Sequence, residues 1–135
     1  MGETGVTIKG IVVSGIGQGK VLVKFDWVEK QIISKLGFVP FAGTLNLKIS
    51  DPASLAAFSA VKTGPAIIIE PPNPEYCEGR IYRVLVDGRI EAAIVWPCVP
   101  NYPEDVAEII APVNLRDALK VADGDSVSLK LVDVK

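Results

Sequence analysis

Apolar residues in this chain fall in short runs divided by glycine, proline and small polar clusters, and the runs follow two different periods. Residues 8–14 and 20–25 are rich in Val and Ile, flank a glycine cluster, and read as strands. Asp26-Trp27-Val28-Glu29 has the spacing of a capping box; Val28, Ile32, Ile33 and Leu36 follow at helical intervals, up to a stop at Gly37. Residues 44–49 return to a strand pattern. Asp51-Pro52 then opens a helix over 52–61, with proline at its first position and Leu55, Phe58 and Val61 on one side. Residues 66–70 read as a buried strand, and Pro71-Pro72-Asn73-Pro74 as a loop. Residues 80–86 and 89–96 form a hairpin about Asp87-Gly88. Residues 106–111 begin with an acidic character that suits a helix, but their Val/Ile content and Pro112 favour a strand. A short helix over 114–120, a turn at Asp123-Gly124-Asp125 and an alternating strand over 126–132 complete the chain. Many short strands with few helices predict a mainly β fold, a small barrel with short peripheral helices.

Length and composition narrow the function. With 135 residues the chain is expected to form one domain over 1–135, with residues 1–7 as an N-terminal tail, and to bury a core without disulfide or metal support. Fourteen basic and 16 acidic residues give a net charge of −2, with no basic stripe for nucleic acid. Cys77 and Cys98 have no CxxC partner and read as free thiols of a reducing cytosol, with a single bridge between them as the alternative. Histidine is absent, which removes the commonest general base and most zinc chemistry; acid–base work falls to Asp, Glu, Lys or Tyr, and a metal would be a hard cation held by oxygen. The first residues lack the character of a signal peptide, and no apolar run approaches the roughly 18 residues of a membrane span. The expectation is a soluble cytoplasmic protein.

Two motifs then carry chemistry. Gly15-Ile16-Gly17-Gln18-Gly19-Lys20 places glycines on alternate positions and closes on a cation, a sequence able to turn backbone N–H groups toward one anion. It fits neither the P-loop nor the dinucleotide fingerprint, since Val21 follows Lys20 and Lys20 occupies the place of the third fingerprint glycine. In Gly43-Thr44-Leu45-Asn46-Leu47-Lys48, strand periodicity puts Thr44 and Asn46 on one side, roughly 7 Å apart along the chain. A phosphate cradle beside two neutral oxygen ligands suits a nucleotide-dependent phosphotransferase. Taken singly, the first motif could be an ordinary turn and the second a solvated strand face.

These motifs are followed by Glu108-Ile109-Ile110-Ala111-Pro112-Val113-Asn114-Leu115-Arg116 and Leu119-Lys120-Val121-Ala122-Asp123-Gly124-Asp125-Ser126-Val127. In this order and spacing, over about residues 8–132, the chain resembles the archaeal CTP-dependent riboflavin kinases. The resemblance implies a six-stranded cradle-loop (RIFT-like) barrel that transfers a phosphoryl group from CTP to riboflavin, yielding CDP and FMN. It places the nucleotide loop on Gly15, Ile16, Gly17, Gln18, Gly19 and Lys20, and a second nucleotide-contacting segment on Asn114, Leu115, Arg116 and Asp117. It places magnesium, one ion per subunit bound with nucleotide, on Thr44 and Asn46, and the catalytic flavin-side carboxylate on Glu108. Two positions depart from the family pattern: Pro100 stands where related chains carry a hydroxyl near the flavin, with Asn101 and Tyr102 beside it, and Lys20 stands where arginine is favoured. Some related chains carry an N-terminal helix-turn-helix region, for which a barrel beginning by about Ile8 leaves no room.

Each role has a plainer counterpart: an exposed strand carboxylate for Glu108, a surface ion pair for Arg116, helix capping for Asn114 and Asp117. A flavin ring wants an apolar slot with a flat partner, and Trp27, Phe41, Tyr82, Trp96 and Tyr102 are available. The expected partners are riboflavin/FMN and CTP/CDP, without nucleic acid or membrane, in a monomer. The alternatives are a kinase of this fold with another nucleotide, a non-catalytic flavin-binding module, and an AbrB-like DNA-binding barrel.

Overall fold

The computed structural model describes residues 3–14, 26–41, 43–72, 78–96 and 103–132. The glycine loop 15–20, the expected strand 20–25, both cysteines and Pro100, Asn101 and Tyr102 lie outside the described residues. Seven strands and three helices follow in the order β1 (Glu3–Val13), α1 (Asp26–Leu36), β2 (Leu45–Lys48), α2 (Pro52–Thr63), β3 (Ile67–Ile69), β4 (Gly79–Val86), β5 (Ile90–Trp96), β6 (Val106–Ile110), α3 (Leu115–Leu119) and β7 (Ser126–Val132).

Six strands close on themselves. Antiparallel pairing runs β4-β5-β6-β2-β1-β7, and β7 returns to β4 through Val84↔Leu131 and Val86↔Leu129. The first half of the same edge of β4 carries β3, with Ile67 opposite Ile81. This is the six-stranded barrel expected from the sequence, with one extra bonded strand.

Alternation along the strands divides the apolar residues between two cores. Ile8, Leu47, Val84, Ile94, Ile109 and Leu129 point into the barrel, joined by Phe58 of α2. The opposite face of β4, β5 and β6 contributes Ile81, Ala93, Val95 and Ile110 to a second core under Val28, Ile32 and Leu36 of α1. Both faces of β6 are therefore buried, which explains why its sequence is nearly continuous in apolar residues and does not alternate.

Local signals account for most boundaries. Gly37 stops α1 at a φ of +85°, its N–H donating to the Ile33 carbonyl at 3.0 Å. Asp51 caps α2, accepting from the Ser54 N–H at 2.9 Å, with Pro52 as the first helical residue. The β4–β5 turn has positive φ at both Asp87 and Gly88, the geometry that matches strand twist. Three details differ from expectation. β1 begins at Glu3 rather than Ile8: its register with β7 shifts between Glu3 and Thr7, where Gly5 takes a φ of +85° and breaks the alternation by which strands are recognised. Ile33 is exposed, because the buried stripe of α1 is Val28, Ile32 and Leu36 alone. Leu55 is only partly buried, and Ser54 takes its place under α2, its hydroxyl accepting from the Lys9 N–H at 2.9 Å.

Candidate active site

Three adjacent strands assemble the site. On the outer face of the barrel, Val13 of β1 is opposite Asn46 of β2, and Asn46 is opposite Glu108 of β6. Neighbouring strands are spaced about 4.8 Å, so this row spans about 10 Å from the entrance of the glycine loop to the carboxylate. Thr44 and Asn46 were expected to share a side, and they do: Thr44 Oγ1 donates to Asn46 Oδ1 at 3.5 Å.

Glu108 is fully buried, at 0% exposure, and Asn46 is nearly so. The exposed strand carboxylate weighed for Glu108 is thereby excluded. A carboxylate out of water is costly unless its surroundings compensate it, so a place between Val95 and Asn46 is a poor one for a residue of purely structural use.

A cleft of about 140 Å³ opens at the start of β2, lined on one side by Phe41, Gly43 and Thr44 and on the other by Val113, Asn114, Leu115 and Arg116. The two nucleotide-side segments expected from the sequence are thus split: 114–116 meets Thr44 in this cleft, and 15–20 lies outside the described residues. Within α3 the four expected residues have different tasks. Asn114 is the N-cap, accepting from the Asp117 N–H at 3.2 Å, so the capping role of this pair is real. Leu115 is buried in the barrel core, and Asp117 is exposed.

Arg116 reaches back to β1. Its Nη2 donates to Asp123 Oδ1 at 2.7 Å, to Ser14 Oγ at 3.1 Å and to the Val13 carbonyl at 3.4 Å. The ion pair set against its nucleotide role is therefore present, with Asp123, and the same nitrogen also bonds Ser14, the residue that precedes Gly15. The Arg116 guanidinium, and then the Ser14 hydroxyl, hold the Asp123 carboxyl below its ordinary value of 3.8. Sequence reading singled out neither Ser14 nor Asp123, since they are brought together across the fold.

Among the five aromatics offered for flavin contact, Tyr82 is excluded: it is 1% exposed inside the barrel, its hydroxyl donating to the Lys62 carbonyl at 3.2 Å. Trp96 packs edge-on against Phe58 and carries the Lys62 ammonium 4.0 Å from its ring centroid, so much of its surface is already engaged. Trp27 packs on the core beneath α1. Phe41 is exposed and lines the cleft beside Thr44.

The donor set suits Mg²⁺ that arrives with a nucleotide. Thr44 and Asn46 supply two neutral oxygens on one side of β2, and no group of three or more His, Cys, Asp or Glu able to hold a metal occurs among the described residues. Mg²⁺ commonly keeps several waters and completes its shell with substrate phosphates. No helix among the described residues is long and apolar enough to cross a membrane.

Comparison with known proteins agrees with this arrangement. Residues 12–131 match the family model CTP-dep_RFKase, described as a domain of unknown function, DUF120. The riboflavin kinase of Methanosarcina barkeri is 44% identical over 127 residues, covering 92% of this chain and 56% of that protein. That of Saccharolobus solfataricus is 35% identical over 133 residues, covering 93% of this chain and 74% of that protein. That of Pyrococcus abyssi is 43% identical over 128 residues, covering 93% of this chain and 58% of that protein. The chain thus spans little more than half the length of the Methanosarcina and Pyrococcus proteins. With a closed six-stranded barrel and a family match from the end of β1 into β7, the chain belongs to the CTP-dependent riboflavin kinase family.

Proposed function

We propose that this chain transfers the γ-phosphoryl group of CTP to the terminal hydroxyl of riboflavin, forming FMN and CDP. The observation that carries this reading is the row Val13–Asn46–Glu108, which sets the entrance to the glycine loop, the neutral oxygen pair and a buried carboxylate on consecutive strands. Membership of the family supports riboflavin as acceptor, and the family's name supports CTP as donor. The named function of the similar archaeal proteins points the same way.

In this reaction the hydroxyl oxygen bonds to the γ-phosphorus, the bond from that phosphorus to the β,γ-bridging oxygen breaks, and the hydroxyl proton must leave. Glu108 would take that proton or hold the ribityl chain while it leaves. Positioning and charge neutralisation carry most of the catalysis in phosphoryl transfer, so the remaining residues act by orientation. Gly15 to Gly19 would offer backbone N–H groups and Lys20 a point charge to the phosphates; Arg116 and Asn114 would meet the nucleotide across the cleft from Thr44. Thr44 and Asn46 would hold Mg²⁺, which would supply positive charge to neutralise the phosphates.

Thr44→Val tests the reading against a flavin-binding module without catalysis. It removes one oxygen ligand at nearly constant shape. The kinase reading expects turnover in the parent chain and its loss by about 100-fold or more in the variant, with riboflavin binding retained; a parent chain that binds riboflavin without making FMN would contradict the reading, and full turnover in the variant would remove Thr44 from the ligands.

A further inference from the structure

Among the residues lining the cleft beside Thr44, Arg116 alone carries a full positive charge. An arginine on a short helix has several rotatable bonds, and ordering it on a ligand costs affinity unless it is held beforehand. Here it is held. Asp123 Oδ1 accepts from Arg116 Nη2 at 2.7 Å, and the Ser14 hydroxyl lies 2.8 and 2.9 Å from the two carboxylate oxygens. Ser14 Oγ is also 3.1 Å from the same Nη2, which closes a triangle of carboxylate, hydroxyl and guanidinium.

The carboxylate has a fixed base. The turn that bears it is bonded to the end of β1 in both directions: Gly124 N–H donates to the Val12 carbonyl at 2.9 Å, and Val12 N–H to the Asp125 carbonyl at 2.8 Å. The Asp125 side chain accepts from the Ala122 N–H at 2.8 Å and steadies the turn itself. All described bonds of the guanidinium leave from Nη2, so the donors of Nη1 and Nε stay outside the triangle.

We propose that Asp123, with Ser14, is a positioning residue that holds the Arg116 guanidinium in register with the cleft for the phosphates of the nucleotide. The inference rests on the kinase reading for its ligand. Two effects of Asp123 oppose each other: it orients the cation, and its own charge weakens the attraction of that cation for an anion. The triangle is anchored at both ends and its described bonds all leave from Nη2, so orientation is the larger effect.

Steady-state kinetics and calorimetric titration with Mg·CTP, on the full chain and its variants, test this. Asp123→Ala should raise KM and Kd for CTP about tenfold, leave kcat within about twofold and leave KM for riboflavin unchanged. In an Arg116→Ala background the same substitution should have no further effect, because its action passes through that arginine. Ser14→Ala, which keeps the ion pair, should give a smaller change of the same kind. Asp51→Ala, which removes the cap of α2 far from the cleft, should lower thermal stability without altering KM for CTP. An unchanged or lowered KM for CTP in Asp123→Ala overturns the proposal, as does an equal effect with and without Arg116. If the parent chain binds CTP but makes no FMN, the kinase reading fails and Kd decides the role of Asp123. If the parent chain does not bind CTP at all, the role of Asp123 fails with it.

Discussion

Asn46 and Glu108 are register partners across the β2–β6 ladder, one amide and one carboxylate side by side on the same barrel face. Both are buried, whereas the other described acidic side chains are mostly at the surface. The proposed function gives this pair its sense: one side chain would hold the metal of the donor, and the group on the next strand would meet the acceptor.

Glu108→Gln keeps the shape of the side chain and removes its charge. If Glu108 takes the hydroxyl proton, kcat should fall by about 10²- to 10⁴-fold with KM for CTP little changed. Steady-state rates with each substrate varied in turn would measure this. Unaltered kcat would leave Glu108 a binding residue at most.

Neutral ligands give the metal little to hold on to before the nucleotide arrives. Calorimetric titration of Mg²⁺ into nucleotide-free protein should show weak uptake, and titration in the presence of a CTP analogue should show tighter binding. Tight stoichiometric uptake without nucleotide would contradict Thr44 and Asn46 as the ligand pair. Chelation of Mg²⁺ should abolish turnover and leave the fold intact, since both barrel cores are built from side chains alone.

Gly10 lets β1 pass close over the side chains of Leu47 and Ile49. A Cβ there would sit 2.8 Å from Leu47 Cβ and 2.8 Å from Ile49 Cδ1. Ile49 could rotate, but Leu47 Cβ is fixed to the backbone of β2. Gly10→Ala should therefore destabilise the protein by about 1–3 kcal/mol in denaturant unfolding. Because Asn46 adjoins Leu47, riboflavin phosphorylation should decline too.

Much of this architecture was legible locally. Asp87-Gly88 announced the β4–β5 turn, Asp51-Pro52 the start of α2, and Val127, Leu129 and Leu131 the strand β7, since each signal lies within a few residues of its effect. Burial was harder to read. Glu108 stands in an apolar run, yet its complete burial depends on Asn46, some 60 residues earlier in the chain. The Ser14–Arg116–Asp123 triangle joins positions over 100 residues apart, and no local pattern encodes it. Tyr82 illustrates the same limit: strand alternation alone did not say which face was inside.

Acid should act through three aspartates. Hydrogen bonds from Ser54 depress Asp51, the Lys48 ammonium depresses Asp105, and Arg116 with Ser14 depresses Asp123, each from 3.8. A carboxylate with a depressed folded pKa stabilises the fold above its unfolded value, and that contribution is lost as pH falls through the folded value. Thermal stability should thus change little from these groups between about pH 5 and 8 and decline below about pH 4. Asp123→Asn should flatten part of that acid limb; an unaltered limb would show that the Arg116 pair does not support the fold.

Product formation from riboflavin, Mg²⁺ and either CTP or ATP decides whether this chain is a riboflavin kinase and which nucleotide it uses. Riboflavin and FMN absorb alike, so the two are separated by chromatography before detection. FMN formed with CTP, and scarcely with ATP, is the predicted result. No FMN with either nucleotide, while riboflavin still binds, would contradict the kinase reading and leave a flavin-binding barrel in its place.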